Sequence, residues 1–183
     1  RPGGVAFDAE PQRAATMASL LETIFRETEE AVELLWNSST VMARFEGTGP
    51  VFSQTARRIG LVGPAARACG LKCDTRADYP HGVWKRHPVE VAVGEKGEVA
   101  DRARVRWMEI RNSARWILER LSGLPEGPIL APDVPAGVPV LPPGRMAVSL
   151  TEGWRGRICH AFVTDDQGRF AVYKIVDPSF HNW

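Results

Sequence analysis

A strong helical pattern is present in the sequence GEVADRARVRWMEIRNSARWILERLSG, residues 97–123. Its apolar residues recur at intervals of three and four, which is the spacing of one buried face of an α-helix. That face consists of Ala103, Trp107, Ile110, Ala114, Ile117, Leu118 and Leu121. Glu98 and Asp101 fall in the first turn, where acidic side chains interact favourably with the helix dipole, and Gly123 is a typical C-terminal stop. The pattern predicts a helix from about Gly97 to Ser122.

A second helical pattern lies near the start of the chain. Its apolar positions are Met17, Leu20, Leu21, Ile24, Ala31, Leu34 and Leu35. Asp8 or Glu10 is suited to open this helix with Pro11 in its first turn, and the pattern ends near residues 37–39. Because both helices carry an apolar face along their whole length, we expect them to pack against each other in antiparallel fashion.

The segment that precedes the long helical pattern, residues 69–97, is polar and is broken repeatedly by proline and glycine. Tyr79 and Trp84 are aromatic anchors within it, so we expect an ordered loop. A loop of this length inside a compact domain is usually functional or packed against a partner.

The residue pattern changes after residue 124. Residues 125–145 are rich in proline and glycine and are predicted to form a linker. Residues 146–150, 157–164 and 170–176 then have the period of two that is typical of strands, with a hairpin turn at 165–168. The sequence therefore predicts an α+β fold that is mainly helical, with long antiparallel helices and a small antiparallel β-sheet near the C-terminus. Its predicted parts are a helical scaffold over 1–124 that includes the ordered loop 69–97, the linker 125–145, and the sheet over 146–183.

The composition excludes several classes of function. Lys and Arg number 23 against 22 Asp and Glu, and a net charge of +1 gives no strong field that would direct the chain to nucleic acid. No apolar run is long enough to span a bilayer, so no direct membrane span is expected. The three cysteines and the absence of a visible signal peptide favour reduced thiols in the cytoplasm. Because the chain begins with Arg1 and stops at Trp183, we expect a piece of a longer polypeptide.

Two groups of residues are weak candidates for binding sites. Cys69 and Cys73 have a CxxxC spacing but lack the further ligands that a tetrahedral zinc site needs. The arginines of the long helical pattern are compatible with phosphate binding, for which Arg104 and Arg111 are the candidates. The acidic residues interspersed among them favour an ordinary solvated face.

The sequence EGWRG, residues 152–156, is a stronger candidate. It lies between two predicted strands, and its two glycines allow a tight turn and a close approach of the backbone. Arg155 would then be a permanently charged donor at a fixed position. The alternative is a surface hairpin with an ordinary salt bridge.

EGWRG belongs to a series of motifs that occur in a definite order. They are RPGGV at 1–5, GPAARA at 63–68, DxRxDxP at 74–80, RxxEIRxS at 106–113, ExxRG at 152–156 and DPSF at 177–180. Together they resemble the large subunit of the energy-converting (group 4, formate hydrogenlyase-like) nickel–iron hydrogenases. They also resemble its relative, the 49-kDa-type subunit of respiratory complex I. The resemblance covers nearly the whole chain.

The hydrogenase branch of this resemblance implies a Ni–Fe centre held by four cysteines, in one CxxC pair near each end of the large subunit. Neither pair is present here, and Cys69, Cys73 and Cys159 do not match those positions. No metal and no other cofactor is therefore expected within this chain. A Ni–Fe centre would belong to the rest of the parent subunit, and Fe–S clusters to a partner.

The resemblance also implies site residues in the EGWRG region. An acidic residue, an arginine–glycine pair and a strand with a histidine correspond to Glu152, Arg155 with Gly156, and His160. In hydrogenases that arginine faces the metal cavity, so Arg155 is the principal catalytic candidate, with Glu152 and His160 beside it. The family usually has proline where this chain has Trp154.

The function implied is that of a fragment of the large subunit of a membrane-associated hydrogenase-like or NADH:quinone oxidoreductase-like complex. The parent would couple electron transfer from an iron–sulfur small subunit to hydrogen or quinone chemistry beside a membrane arm. It would be cytoplasmic and peripheral on the inner face of the membrane, and the fragment alone would be inactive. The alternative is a hydrogenase-like scaffold or interaction subunit without metal or catalysis. In either case we expect the fragment to expose apolar surface and to self-associate.

Overall fold

A computed structural model of the chain describes residue 5 and residues 7–125, 127–128 and 140–182. The helices are α1 (Pro11–Trp36), α2 (Ser39–Phe45), α3 (Ser53–Arg58), α4 (Gly63–Ala68), α5 (Thr75–Asp78), α6 (Val99–Ser122) and α7 (Ser179–Asn182), with a 3₁₀-helix at Gly82–Lys85. The strands are β1 (Met146–Gly153), β2 (Gly156–Thr164) and β3 (Phe170–Val176). The predicted α+β class is confirmed. Most of the predicted linker 125–145, and most of the RPGGV motif, lie outside the described residues.

The two long helices pack in antiparallel fashion, as predicted, but the predicted apolar face of α1 is only partly covered, since Leu20 and Leu34 remain exposed on the side away from α6. Phe25 of α1 stacks on Trp107 of α6 with ring centroids 5.7 Å apart and nearly parallel planes. Ala14, near the start of α1, shares a cavity wall with Leu121, near the end of α6. Opposite ends of the two helices are thus neighbours. The sequence also predicted their limits closely, because Pro11 begins α1 and Gly123 follows α6.

The C-terminal strands form one antiparallel sheet in the order β1-β2-β3. Gly153 pairs with Gly156, so Trp154 and Arg155 form a two-residue hairpin turn between β1 and β2. The second hairpin turn follows Thr164, where the β2–β3 register shifts. The hairpin turn at 165–168 was predicted, whereas at 152–156 a tight turn was predicted with a hairpin as the alternative, and β1 extends three residues beyond the predicted limit at residue 150.

The segment 69–97 is ordered by packing rather than by regular structure. It contains α5 and the 3₁₀-helix, and Trp84 packs on Trp116 of α6 with ring centroids 4.9 Å apart. The other predicted anchor, Tyr79, is about half exposed and lies beside the guanidinium of Arg157. Trp84 thus anchors this segment to α6, as predicted.

The core is unusual because it is built mainly from small residues. Among the described residues the buried apolar side chains are alanines, Cys69 and Val105. The largest fully buried side chain is that of Arg67, which is 1% exposed. Charged side chains are rarely buried unless they are paired, so this position points to an ionic cluster. None of the described helices is both long and apolar enough to cross a bilayer.

Candidate functional site

Arg67 is held at the centre of the fold by α4. This helix begins at Gly63 and Pro64 and is built of small residues that let the neighbouring elements approach closely. The guanidinium meets carboxylates from three other parts of the chain. Its Nη1 lies 2.9 Å from Oε1 of Glu152 and 3.3 Å from Oδ2 of Asp74, and its Nη2 lies 3.2 Å from Oε1 of Glu109. One buried cation thus links α4, α6, β1 and the residue that precedes α5.

Arg76 is the second cation of this group. Its Nε and Nη2 donate to the two oxygens of Asp74 at 2.9 and 2.6 Å, which is the bidentate geometry typical of strong arginine–carboxylate pairs. Its Nη2 also donates to Glu109 at 2.8 Å. We call Arg67, Asp74, Arg76, Glu109 and Glu152 the ion cluster. It holds two guanidinium groups and three carboxylates.

Backbone groups complete the ion cluster. Asp74 caps α5 by accepting from the backbone N–H of Arg76, and Glu152 accepts from the backbone N–H of Thr75 at 3.0 Å. Burial alone would raise the pKa of Asp74, but its hydrogen bonds to Arg76 and the charges of Arg76 and Arg67 outweigh that effect and lower it. The hydrogen bonds that Arg76 donates to Asp74 raise the pKa of Arg76 further above its already high ordinary value. The pairing therefore keeps Asp74 and Arg76 ionised at neutral pH.

The Trp154–Arg155 turn is fixed to the rest of the protein by its backbone. Gly63 has a φ of +63°, and a Cβ added there would lie 2.2 Å from the Cα of Gly156, so only glycine permits this approach. On the other side, Asn182 of α7 donates to the carbonyl of Arg155 at 2.9 Å and accepts from the N–H of Val62 at 3.1 Å. The turn is clamped between the start of α4 and the C-terminal helix.

The three predicted site residues do not lie together. Glu152 is in the ion cluster, and Arg155 is exposed at the turn. His160 lies in β2 on the sheet face opposite Glu152, because the partner of Glu152 is Arg157 and side chains alternate along a strand. There His160 forms a 2.6 Å hydrogen bond with the hydroxyl of Tyr173. Glu152 and Arg155 thus belong to the same hairpin, whereas His160 lies on the opposite face of the sheet.

A cavity of about 390 Å³ opens beside the ion cluster, between α1, α6 and the β1–β2 hairpin. Apolar side chains of the two helices form most of its wall. The charged side chains in its lining are those of Arg67, Arg76, Arg106, Glu109 and Glu152, and Trp154 lies at the hairpin side. The arrangement is an apolar pocket with convergent charged groups, which is the usual character of a ligand site.

The cysteines present do not fit a Ni–Fe centre. The Sγ of Cys69 is buried and donates to the carbonyl of Ala65 at 3.2 Å. Burial raises the pKa of Cys69 and of Cys73, whereas metal ligation requires thiolates. Within the described part of the chain, no three histidine, cysteine or acidic side chains are grouped as a metal ion would need.

Sequence reasoning did not identify the ion cluster as a unit. Its members belong to four of the motifs quoted above, but nothing in their spacing shows that they meet. One local signal was available, because Arg67 is the single charged residue in the small-residue sequence GPAARA. An arginine among residues suited only to close packing has to be buried with partners. Identifying those partners requires the tertiary structure.

The comparisons with known proteins give one consistent family. The sequence profile described as "Respiratory-chain NADH dehydrogenase, 49 Kd subunit" matches residues 1–140. An NADH-quinone oxidoreductase subunit of Rhizorhabdus wittichii is 34% identical over 98% of this chain and 47% of its own length. The carbon monoxide-induced hydrogenase of Rhodospirillum rubrum is 33% identical over 99% of this chain and 49% of its own length. The chain thus spans about half the length of the curated relatives it matches.

The fold also has a counterpart among solved structures. A chain of the membrane-bound sulfane sulfur reductase, described as an archaeal respiratory membrane complex, superposes with a TM-score of 0.81. The alignment covers 93% of this chain and 46% of that chain, at 23% sequence identity. At this identity the likeness establishes the shared fold only.

Proposed function

The chain belongs to the family of the 49-kDa subunit of the respiratory-chain NADH dehydrogenase, and we propose that it forms a central part of the large subunit of a membrane-associated oxidoreductase complex. The parent subunit couples electron transfer from an iron–sulfur partner to hydrogen or quinone chemistry. It lies peripherally on the inner face of the membrane, beside a membrane arm. The 183-residue segment is inactive alone and supplies scaffold helices and one wall of the reaction cavity.

The ion cluster is the observation that carries this proposal. It joins four parts of the chain, the most distant of which, Arg67 and Glu152, are 85 positions apart, and Glu152 lies only two residues before the Trp154–Arg155 turn. With the Gly63–Gly156 contact and the Asn182 bridge, it fixes the turn from three sides. A guanidinium on so rigid a turn is a preorganised donor for negative charge that develops nearby. This supports a positioning role for Glu152 and a cavity-facing role for Arg155 in the parent.

The test requires the full-length parent in its complex. We expect hydrogen oxidation or quinone reduction to fall about 100-fold in the Arg155→Gln variant, as when one preorganised donor is removed, and to recover in part in Arg155→Lys. Arg58→Gln is the matched control, because Arg58 is exposed on α3 and has no ion pair among the described residues. Nickel content, measured on the same preparation, separates the hydrogenase branch from the quinone branch.

Three outcomes decide between the candidates. Nickel with hydrogen oxidation places the parent among the hydrogenases, and quinone reduction without nickel places it in the complex I branch. If the assembled complex has neither activity, the parent is a scaffold or interaction subunit, and the catalytic proposal is wrong. Unchanged activity in Arg155→Gln would remove the role proposed for Arg155 alone.

A further inference from the structure

Arg106 differs from the other two arginines in the lining of the cavity. Arg67 and Arg76 are each bound to carboxylates of the ion cluster. Arg106 forms no ion pair with any carboxylate in the described part of the chain, and its Nη1 donates only to the carbonyl of Arg102 at 2.9 Å. With Asp74 of the ion cluster counted, the three arginines of the lining face three carboxylates, and Arg106 is the one of these arginines that contacts none of them directly.

The surroundings of Arg106 make an anion favourable there. Its side chain is half-buried on α6, and its guanidinium carbon lies 5.9 Å from the centre of the Trp154 ring. Burial lowers the pKa of Arg106, and the charges of Arg102, Arg155 and Arg67 lower it further. Arg155 is itself within electrostatic range of the exposed Asp177, and Glu109 and Glu152 line the same cavity as Arg106. Both glutamates are already bound to Arg67, so an anion at Arg106 would interact favourably with the one guanidinium of the lining that has no carboxylate contact.

The walls of the cavity indicate what carries the anion. Leu21, Ile24 and Phe25 of α1 and Ile110 of α6 line it, so a group that reaches Arg106 passes along apolar surface. A carboxylate matches the fork geometry of a guanidinium, and an apolar stem matches these walls. A small hydrated anion such as chloride could interact with the charge of the guanidinium but has no apolar stem to contact the walls.

The cavity opens towards an apolar stripe on α1 that no described residue covers. Leu20 is 59% exposed and Ile24, which also lines the cavity, is 49% exposed. Exposed apolar surface of this kind usually marks a contact with another polypeptide. Because the chain spans about half the length of its curated relatives, other segments of the assembled subunit are available to cover the stripe.

We propose that this cavity receives the carboxylate of an aspartate or glutamate from another segment of the same assembled subunit, and that Arg106 binds it beneath the ring of Trp154. The identity of the carrier rests on the proposed function, whereas the carboxylate specificity of the cavity does not. The two parts are tested separately, so that the failure of one is distinguishable from the failure of the other.

The first test uses the 183-residue chain and hexanoate as the probe. We expect hexanoate to shift the indole N–H signal of Trp154 in ¹H–¹⁵N spectra and to bind about tenfold more tightly than the neutral hexanamide. Binding is expected to be lost in Arg106→Gln and kept in the control Arg58→Gln, since Arg58 is exposed on α3 and is not in the cavity lining. Equal affinity for hexanamide, or unchanged hexanoate binding in Arg106→Gln, would overturn the proposed specificity whatever the function of the parent.

The second test uses the assembled complex with the conservative variant Arg106→Lys. Its amine can be joined by a carbodiimide to a carboxylate in direct contact, and mass spectrometry then identifies the partner residue. A link to an acidic residue of the same subunit outside residues 1–183 supports the proposed carrier. A link to another subunit, a link only to Glu109 or Glu152, or no link in an intact complex overturns it.

Discussion

Arg67 and Glu152 are 85 positions apart in sequence, yet Nη1 of the arginine lies 2.9 Å from Oε1 of the glutamate, and both side chains are almost wholly buried. This pair connects α4, in the helical part, to β1, in the sheet. Removing one member of a buried ionic group leaves the others uncompensated in a medium of low polarity. The stability of the helical part and that of the sheet are therefore coupled through this ion pair.

The Arg67→Met variant measures that dependence. It keeps most of the apolar stem but leaves three carboxylates opposite Arg76 alone, so we expect the free energy of unfolding to fall by about 3–5 kcal/mol. Urea denaturation followed by circular dichroism provides the measurement. The control is Arg104→Met, since Arg104 is half exposed and its nearest carboxylate oxygens are 3.8 and 4.0 Å away. Its loss should cost less than about 1 kcal/mol, and similar losses in both variants would contradict the role of the cluster.

The low pKa of Asp74 predicts loss of stability in acid. Because the pKa is lower in the folded than in the unfolded state, the ionised group stabilises the fold above the unfolded value of about 3.9. That contribution disappears as the pH falls through the folded-state value. Asp74→Asn should be less stable at pH 7 and should show a flatter pH dependence below about pH 4. Equilibrium unfolding between pH 2 and 7 tests this, with the exposed Asp166→Asn as control, and parallel curves for wild type and Asp74→Asn would refute it.

The close approach of Gly63 and Gly156 gives a steric prediction. Gly63→Ala places a Cβ in a left-handed backbone conformation and 2.2 Å from the Cα of Gly156. Gly47→Ala is a matched control, because Gly47 has a similar φ of +66° but nothing within 4 Å of the added Cβ. We expect about 1 kcal/mol of destabilisation in the control and a further 1–3 kcal/mol in Gly63→Ala. Equal melting temperatures for the two variants would show that the hairpin is free to move away.

The exposed stripe of α1 predicts self-association of the isolated chain. Leu20 is 59% exposed and Leu34 is 75% exposed, on a helix whose opposite face packs on α6. Sedimentation velocity should therefore show a mean mass that rises with protein concentration. The double variant Leu20→Gln/Leu34→Gln should shift this rise to higher concentration, and the polar control Glu30→Gln should not. A monomer throughout the accessible range would count against an interaction surface on α1.

The features that the sequence predicted correctly depend on interactions between residues that are close together in sequence. The apolar periods and the capping residues of α1 and α6 act within a few turns, so helix limits could be predicted from the residues alone. The same holds for the hairpin at Trp154–Arg155, whose flanking glycines indicate a tight turn. In contrast, the partners of Arg67 come from residues 74, 109 and 152. No local pattern relates those positions.

His160 illustrates the same limit at the candidate site. Its position in β2 was predicted, but the face of the sheet on which it lies depends on the register between strands. The pairing of Glu152 with Arg157 determines that register and directs His160 towards Tyr173. The acidic residues of α6 give a second example, since Glu109 pairs with Arg67 and Arg76 rather than with an arginine of its own helix.

The sequence by itself determined the helices, the strands, the tight turn and the family resemblance, because each depends on neighbouring residues or on motifs in linear order. The tertiary structure alone decided which charges are buried together, which arginine in the cavity has no carboxylate partner among the described residues, and which predicted site residues meet. The physical reason is that an ion pair acts over a few ångströms in space, and chain positions far apart are brought to that distance only by the packing of the whole fold.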